Sequence, residues 1–184
     1  MLAFFVTLGV VVLDQLTKLI VRLSMDVDER ICFIPHIMNF TYVENDGAAF
    51  GMLDDARWVF LVASTVTIVV IVWFLHKHGS RHPLLTTSLS FILGGGIGNM
   101  IDRLFVTNAK GEYVVTDFLE TAFMKFAVFN VADSFITVGA ILLGVYVIFI
   151  EPKVEKRIKE AEKASNDDED SEMDEYDGND GSDN

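Results

Sequence analysis

The sequence is poor in cysteine, in proline and in basic residues. Its one cysteine, Cys32, has no partner within the chain, which excludes a small secreted domain held together by disulfides. Only 14 Lys and Arg stand against 27 Asp and Glu, and this net charge of −13 excludes a basic nucleic-acid-binding protein. Three prolines and 15 phenylalanines in 184 residues favour long apolar helices.

The acidic charge is concentrated at the C-terminus. Residues 165–184 contain ten acidic residues and no Lys or Arg. The segment 153–184 holds 13 acidic and 5 basic residues, a net −8, which leaves −5 for residues 1–152. We therefore predict a hydrophobic domain over residues 1–152. Residues 153–184 are predicted to form a basic juxtamembrane segment and an acidic, disordered cytoplasmic tail.

The remainder of the chain is unusually apolar. Hydrophobic residues make up 51% of the sequence and the mean hydropathy is +0.38. Four stretches have the roughly 20 apolar residues that a membrane span needs, without the polar face of an amphipathic helix. Backbone within a bilayer must satisfy its own hydrogen bonds, so these stretches are expected to be helical. The predicted fold class is all-α membrane, a bundle of four transmembrane helices at Leu2–Leu23, Trp58–Leu75, Leu84–Phe105 and Val131–Ile150.

Basic residues near the ends of the spans predict the orientation. The loop between spans two and three and the segment after span four are both rich in Lys and Arg, so we expect both, and both termini, on the cytoplasmic side. Loops 24–57 and 106–129 then face outward. Ile31–Tyr42 is partly alternating and precedes the turn signal Asn45-Asp46-Gly47. Together with the strand-like run Tyr113–Thr116, it predicts a small extracytoplasmic β element on the outer membrane surface.

Polar side chains inside the predicted spans are the informative ones, because a charge in hydrocarbon costs at least about 2.5–3.5 kcal/mol on insertion scales. They occur at spacings of three or four residues, which place neighbours on one helix face. By the predicted topology they all lie at the outer ends of their spans, close to Asp117 and Asn45 of the outer loops. A polar clamp with a purely structural role is the alternative that this pattern leaves open. The groups are Asp14 with Lys18, Asn99 with Asp102 and Arg103, and Asn130 with Asp133.

Other chemistry finds little support in the sequence. The sequence contains no H-E-x-x-H motif, which would indicate a zinc protease. It also has no serine paired with a histidine in a predicted span, as an intramembrane serine protease would need. His76, His78 and His82 cluster where a solvated cytoplasmic interface is expected. Cys32 has no basic neighbour to form its thiolate and is expected to be a small buried apolar residue.

A glycine-rich run lies inside the third span. Gly94-Gly95-Gly96-Ile97-Gly98 resembles a dinucleotide-binding loop only superficially, because no strand precedes it. The spacing of Gly94 and Gly98 favours close packing of helices instead.

Carboxylates remain as the groups suited to catalysis. Two aspartates in a confined site share a proton, so one can act as a base on water while the other acts as an acid on the carbonyl or leaving amine. Asp117 and Asp133 are the pair best placed for this role. The other two, Asp14 and Asp102, have basic residues at i+4 and i+1 as expected counter-ions.

The polar residues fall in five motifs that resemble those of the bacterial lipoprotein signal peptidases, a family of membrane aspartyl proteases also called signal peptidase II. The resemblance covers about residues 1–150, and the motifs occur in the family's order. They are Asp14-Gln15-Leu16-Thr17-Lys18, Asn45-Asp46-Gly47-Ala48-Ala49-Phe50-Gly51, Gly95-Gly96-Ile97-Gly98-Asn99-Met100-Ile101-Asp102-Arg103, Val115-Thr116-Asp117-Phe118 and Phe129-Asn130-Val131-Ala132-Asp133-Ser134.

The resemblance implies an aspartic endopeptidase of the bacterial cytoplasmic membrane, multi-pass, with its active site at the outer face. Its substrates would be diacylglyceryl-modified prolipoproteins, cleaved just before the lipidated Cys. Membrane lipids are implied as partners and globomycin-like cyclic peptides as inhibitors; we expect no metal, cofactor or nucleic acid. The implied catalytic residues are Asp117 and Asp133, and the implied supporting residues are Asp14, Lys18, Asn45, Gly47, Asn99, Arg103, Asn130 and Ala132.

Two other functions fit parts of the pattern. A proton-coupled transporter would place polar groups throughout the membrane and usually shows repeated halves, whereas the inner halves of these spans are apolar and no repeat is found. A non-catalytic assembly or chaperone subunit would keep its activity in Asp117→Asn and Asp133→Asn. If the chain is a protease, Phe40–Val43 is expected to hold the substrate by strand addition.

Overall fold

The structure is a computed structural model that describes residues 1–47, 56–78, 82–156 and 160. The predicted disordered tail lies outside these residues, as do Ala48, Ala49, Phe50 and Gly51 of the second motif. The helices are α1 (Leu2–Ser24), α2 (Ala56–His78), α3 (Pro83–Phe105) and α4 (Val131–Val145). The strands are β1 (Arg30–Ile34), β2 (Met38–Asn45) and β3 (Val115–Thr121).

The chain forms two compact units, residues 1–143 and residues 144–184. Within its described residues, the second unit contains the end of α4, a π-helical segment at Tyr146–Ile150 and helical residues 151–156. Lys156 Nζ lies 3.7 Å from Glu160 Oε1, an exposed pair of the i,i+4 kind. Such exposed pairs contribute little to stability.

Four helices in the described part of the chain are long and apolar enough to cross a membrane: Leu2–Ser24, Trp58–Lys77, Pro83–Phe105 and Val131–Lys156. Large apolar side chains such as Phe4, Ile20, Val62 and Trp73 are exposed along them. Such extensive apolar surface is typical of helices that face lipid tails. The predicted fold class, a four-helix membrane bundle with a small β element, is confirmed.

Helix α3 lies at the centre of the bundle. It buries eleven of its 23 residues, whereas α1, of equal length, buries four. Glycines let its neighbours approach: a Cβ on Gly94 would lie 2.7 Å from Cβ of Val10, and one on Gly98 would lie 2.5 Å from Oδ2 of Asp14. Gly95 faces α4 in the same way, against Ala132. The predicted close packing through Gly94 and Gly98 is therefore confirmed.

The β element is a three-stranded antiparallel sheet in the order β1-β2-β3. Thr41 of β2 faces Arg30 of β1, and Val43 faces Asp117 of β3, with an irregularity between Phe40 and Val43. The predicted substrate clamp at Phe40–Val43 is wrong for a physical reason. Strand β2 is the central strand, so both its edges are already paired and no peptide can be added there.

The sheet is attached to the helical bundle at its base. Tyr42 and Phe118 are buried against Val21, which lies in the last two turns of α1. This small cluster fixes the strand that carries Asp117 against the end of a membrane-spanning helix.

Strand β1 corrects one expectation about the single cysteine. Cys32 is exposed rather than buried, because all five residues of β1 are exposed and no layer covers that strand.

At the opposite end of the bundle, His82 caps α3: its Nδ1 accepts a hydrogen bond from the Leu84 N–H at 3.2 Å. His82 thus provides a hydrogen-bond acceptor for one of the free N–H groups at the start of α3. The sequence had predicted only a solvated position at the membrane interface for this residue.

Candidate active site

Asp117 is held by two amides at the start of β3. Asn45 Nδ2 donates to its Oδ2 at 2.7 Å, and Asn130 Nδ2 donates to its Oδ1 at 2.7 Å. The residue is only 3% exposed. Burial raises the pKa of Asp117 to about 6, and the charge of Asp133 adds to this, while the two amide hydrogen bonds lower it. Asp117 is thus a carboxyl group that changes its protonation state near neutral pH.

The amide of Asn45 is oriented by its own backbone turn. The Gly47 N–H donates to Asn45 Oδ1 at 2.9 Å, so the amide oxygen faces the turn and the NH2 group faces Asp117. Gly47 has φ of +84°, a left-handed conformation that favours glycine. The predicted supporting residues Asn45 and Gly47 therefore act on Asp117 as a pair.

Asp133 is fixed by the first turn of α4. Its N–H donates to Asn130 Oδ1 at 3.0 Å, and its own Oδ2 accepts from the Asn130 N–H at 3.1 Å. This reciprocal pair is a capping box, which satisfies two free N–H groups of the helix start. The other carboxylate oxygen, Oδ1, accepts from Asn99 Nδ2 at 2.8 Å. Asp133 is half-buried, so it remains accessible on one side.

Asn130 connects the two acids. One side-chain NH2 group donates to Asp117 Oδ1 at 2.7 Å and to Asn99 Oδ1 at 3.0 Å, while the side-chain oxygen accepts from Asp133. Asn130 is completely buried. A single rigid side chain therefore touches one acid directly, caps the helix that carries the other, and joins both to α3.

A buried ion network lies beside these amides. Lys18 Nζ is 3.0 Å from Asp14 Oδ2, 3.2 Å from Asp102 Oδ2 and 2.9 Å from Asn99 Oδ1, so three acceptors use its three protons. The lysine and both aspartates are 0% exposed. The predicted pair of Asp14 and Lys18 is confirmed, and Asp14 Oδ1 also accepts the Ala132 N–H at 2.9 Å.

Asp102 has more partners than its sequence neighbourhood indicated. Besides its contact with Lys18, Asp102 lies close to Arg22, with 3.7 Å between Asp102 Oδ1 and Arg22 Nη1. Asp102 Oδ2 also accepts a hydrogen bond from the Thr116 N–H at 3.0 Å. It thereby ties α3 to α1 and to the strand that carries Asp117. Arg103, its expected counter-ion, interacts electrostatically with Asp133, Asp117 and Asp102. The Arg103 guanidinium also lies 5.0 Å from the ring centre of Phe60, a cation–π contact.

Three residues of the network were not identified from the sequence. The Gln15 amide contacts the Gly98 carbonyl at 3.0 Å and Asp102 Oδ1 at 3.1 Å, and Arg22 donates to Thr116 Oγ1 at 3.1 Å. For Arg22 a signal existed, because the four-residue spacing of Asp14 and Lys18 continues to position 22. Gln15 and Thr116 belong to the motifs, but no spacing rule distinguishes them from the neighbouring motif residues.

The site thus contains two carboxyl groups, a set of amides that orients them and a buried cation that neutralises the acids behind them. Among residues 1–47, 56–78, 82–156 and 160, no group of three or more His, Cys, Asp or Glu side chains is placed to hold a metal ion. The arrangement is suited to acid–base chemistry on a bound water molecule.

Comparison with known proteins identifies relatives over most of the chain. The family model described as signal peptidase (SPase) II matches residues 6–149. A lipoprotein signal peptidase of Listeria monocytogenes serotype 4a is 39% identical over 158 residues, which cover 85% of this chain and 98% of the relative. The lipoprotein signal peptidase of Symbiobacterium thermophilum is 40% identical over 155 residues, covering 83% and 98%.

Solved structures show the same fold. A bacterial membrane enzyme determined by the in meso method at 1.9 Å resolution aligns with a TM-score of 0.73 and 29% identity, covering 80% of this chain and 93% of that one. A second, at 2.3 Å resolution, aligns with a TM-score of 0.70 and 30% identity, covering 79% and 87%. With the family model spanning most of the chain and relatives near 40% identity matched almost end to end, this membrane protein belongs to the signal peptidase II family.

Proposed function

We propose that this protein removes signal peptides from prolipoproteins and that Asp117 and Asp133 are its catalytic acids. The observation that carries the proposal is the shared hydrogen-bond network of the two carboxyl groups, in which Asn130 contacts Asp117 and caps the helix of Asp133. Membership of the signal peptidase II family supports the activity. The choice of the two aspartates is supported by their positions in the motifs Val115-Thr116-Asp117-Phe118 and Phe129-Asn130-Val131-Ala132-Asp133-Ser134, which resemble those of that family.

In the catalytically active state the two acids hold one proton between them. Burial and the charge of Asp133 raise the pKa of Asp117 to about 6, so this residue keeps a proton far more readily than an ordinary aspartate. One protonated and one ionised carboxyl group is the state that a water-activating dyad requires. The neighbouring amides contribute fixed orientation, since they hold both groups whichever one carries the proton.

Peptide hydrolysis follows from this state in two steps. The ionised carboxylate takes a proton from water as the water oxygen bonds to the scissile carbonyl carbon, and the protonated carboxyl gives its proton to the carbonyl oxygen. In the resulting diol, the proton first taken from water passes to the peptide nitrogen, and the carbon–nitrogen bond breaks. A diol hydroxyl returns its proton to the other carboxylate, which restores the dyad.

The substrate is a prolipoprotein whose cysteine carries a diacylglyceryl group, and the bond cut is the one just before that cysteine. A site at the ends of membrane-spanning helices can take both the apolar signal segment and the lipid laterally from the bilayer. Lys77, near the end of α2, favours a cytoplasmic location for the end of the bundle where α2 finishes and α3 begins, by the positive-inside rule. The active site then faces the outer leaflet of the bacterial cytoplasmic membrane, where globomycin-like cyclic peptides would block the dyad.

A cleavage assay with purified protein and a diacylglyceryl-modified prolipoprotein tests the assignment. Asp117→Asn and Asp133→Asn should each lose activity by at least about 10²–10⁴-fold, the range typical of a lost acid–base group. Glu120→Gln is the matched control: Glu120 lies on the same strand as Asp117, pairs with Arg30 at 2.8 Å and stays outside the network. Full activity in either aspartate variant would contradict the dyad.

A further inference from the structure

The end of the sheet remote from Asp117 carries two apolar segments. They are residues 33–37, which comprise the end of β1 and the turn to β2, and residues 122–128 after β3. The Ala122 N–H donates to the Ile37 carbonyl at 2.9 Å and joins the two segments. We define the apolar tip as five of the large apolar side chains that these segments present: Ile34, Ile37, Phe123, Met124 and Phe126. Phe33 is left out of the definition because its ring packs on Phe40.

The composition of the apolar tip is unusual for a surface in water. Its five side chains are between 40% and 67% exposed. The twelve residues of the two segments contain one charged side chain, Lys125. Loop 106–113 provides a contrast, because it also follows a membrane-spanning helix yet is polar, with Asn108, Lys110 and Glu112. A position next to a membrane-spanning helix therefore does not by itself explain why the apolar tip is so apolar.

The apolar tip lies within reach of the bilayer surface. Phe126 precedes Val131, the first residue of a membrane-spanning helix, by five residues. Five residues span at most about 18 Å when fully extended. The base of the sheet is fixed at the same level, because Tyr42 and Phe118 pack on Val21 near the end of α1. The headgroup region on each side of a bilayer is about 5–8 Å thick.

We propose that the apolar tip inserts into the membrane interface at which α1 ends and α4 begins, with the lipid bilayer as its partner. Its aromatic and aliphatic side chains replace lipid contacts among the glycerol and upper acyl groups. Lys125 in their midst binds lipid phosphates, as a long basic side chain does at an interface. The sheet is then supported at both ends, on α1 and on lipid, and Asp117 is held at a constant height above the acyl chains.

Spin labels measure this insertion directly. Cysteine is introduced singly at Phe123, at Phe126 or at the exposed control position Ala109, in a Cys32→Ser background, and the labelled full-length protein is placed in nanodiscs containing phosphatidylglycerol. Power saturation compares access of oxygen, which concentrates in lipid, with access of a water-soluble nickel chelate. Labels at 123 and 126 should favour oxygen severalfold relative to the label at 109. Retained cleavage activity shows that each variant is folded.

Two outcomes would overturn the proposal. Equal nickel access at 123, 126 and 109 would show that the apolar tip is in water. Protection of 123 and 126 from both reagents, or spin–spin broadening that increases with protein concentration, would indicate a protein partner or a second copy of the chain in place of lipid.

Discussion

Replacing Asn45 by alanine should move the alkaline limb of the pH–activity profile to higher pH. Activity is expected to fall on the alkaline side when the dyad loses its shared proton. The amide of Asn45 donates to the ionised form of Asp117 at 2.7 Å and thereby lowers its pKa. Without that donor the proton is held more tightly, so the active, singly protonated dyad persists to higher pH.

The size of the shift follows from the strength of the lost bond. A hydrogen bond to a charged group contributes about 1.5–3 kcal/mol, and one pKa unit corresponds to about 1.4 kcal/mol. Starting from a pKa of about 6 for Asp117, the limb should rise by about one to two pH units. Asn45→Asp should move the alkaline limb to still higher pH. The aspartate keeps the acceptor for the Gly47 N–H but places another negative charge against Asp117.

The measurement is kcat/KM for a lipid-modified prolipoprotein between about pH 5 and 9, which covers the pKa of about 6 and the expected rise. The apparent pKa belongs to the coupled pair, so the comparison among variants matters rather than its assignment to one residue. Asn39→Ala is the matched control, since Asn39 lies on the same strand and donates to Glu120 at 3.2 Å instead. A limb that stays in place or moves to lower pH in Asn45→Ala would refute the reasoning.

Further predictions concern the bundle, the substrate and the tail. Lys18→Met should lower the free energy of unfolding by about 3–5 kcal/mol, because it leaves buried aspartates without their cation; chemical unfolding in detergent measures this. Gly98→Ala should lower both the melting temperature and activity, since its Cβ would lie 2.5 Å from Asp14 Oδ2, whereas Gly9→Ala, with nothing within 4 Å, should not. Unmodified prolipoprotein should be cut much more slowly than the lipid-modified form in the same assay, because the lipid contributes binding and positioning; equal rates would contradict this. Truncation after Ala164 should leave cleavage rates unchanged, and a marked loss would assign a role to the tail.

The helical part of the fold and the gathering of the polar residues could be predicted because both depend on local rules. Hydrophobic length identified the four spans, and three- and four-residue spacing placed Asp14 and Lys18 on one helix face. Their shared position at one end of the spans then indicated that they meet with Asn99 and Asn130. Each of these inferences uses only a short stretch of sequence and the dimensions of the bilayer.

Strand order and side-chain orientation could not be predicted in this way. The central position of β2 depends on its pairing with β3, 70 or more residues further along the chain, and no local pattern encodes that choice. For the same reason, Cys32 was expected in a core but lies on an uncovered strand. The direction of the Asn45 amide depends on one backbone N–H of Gly47, which becomes visible only in three dimensions.

The capping box at the start of α4 has a consequence for inhibitor resistance. Asp133 is one of the two proposed catalytic acids, and with Asn130 it also satisfies the first N–H groups of a membrane-spanning helix. A substitution that weakens an inhibitor's grip on this carboxylate would therefore also loosen the helix that carries it. For compounds that bind through Asp133, few resistance substitutions are expected at that position. Resistance is expected to arise at residues outside the capping box.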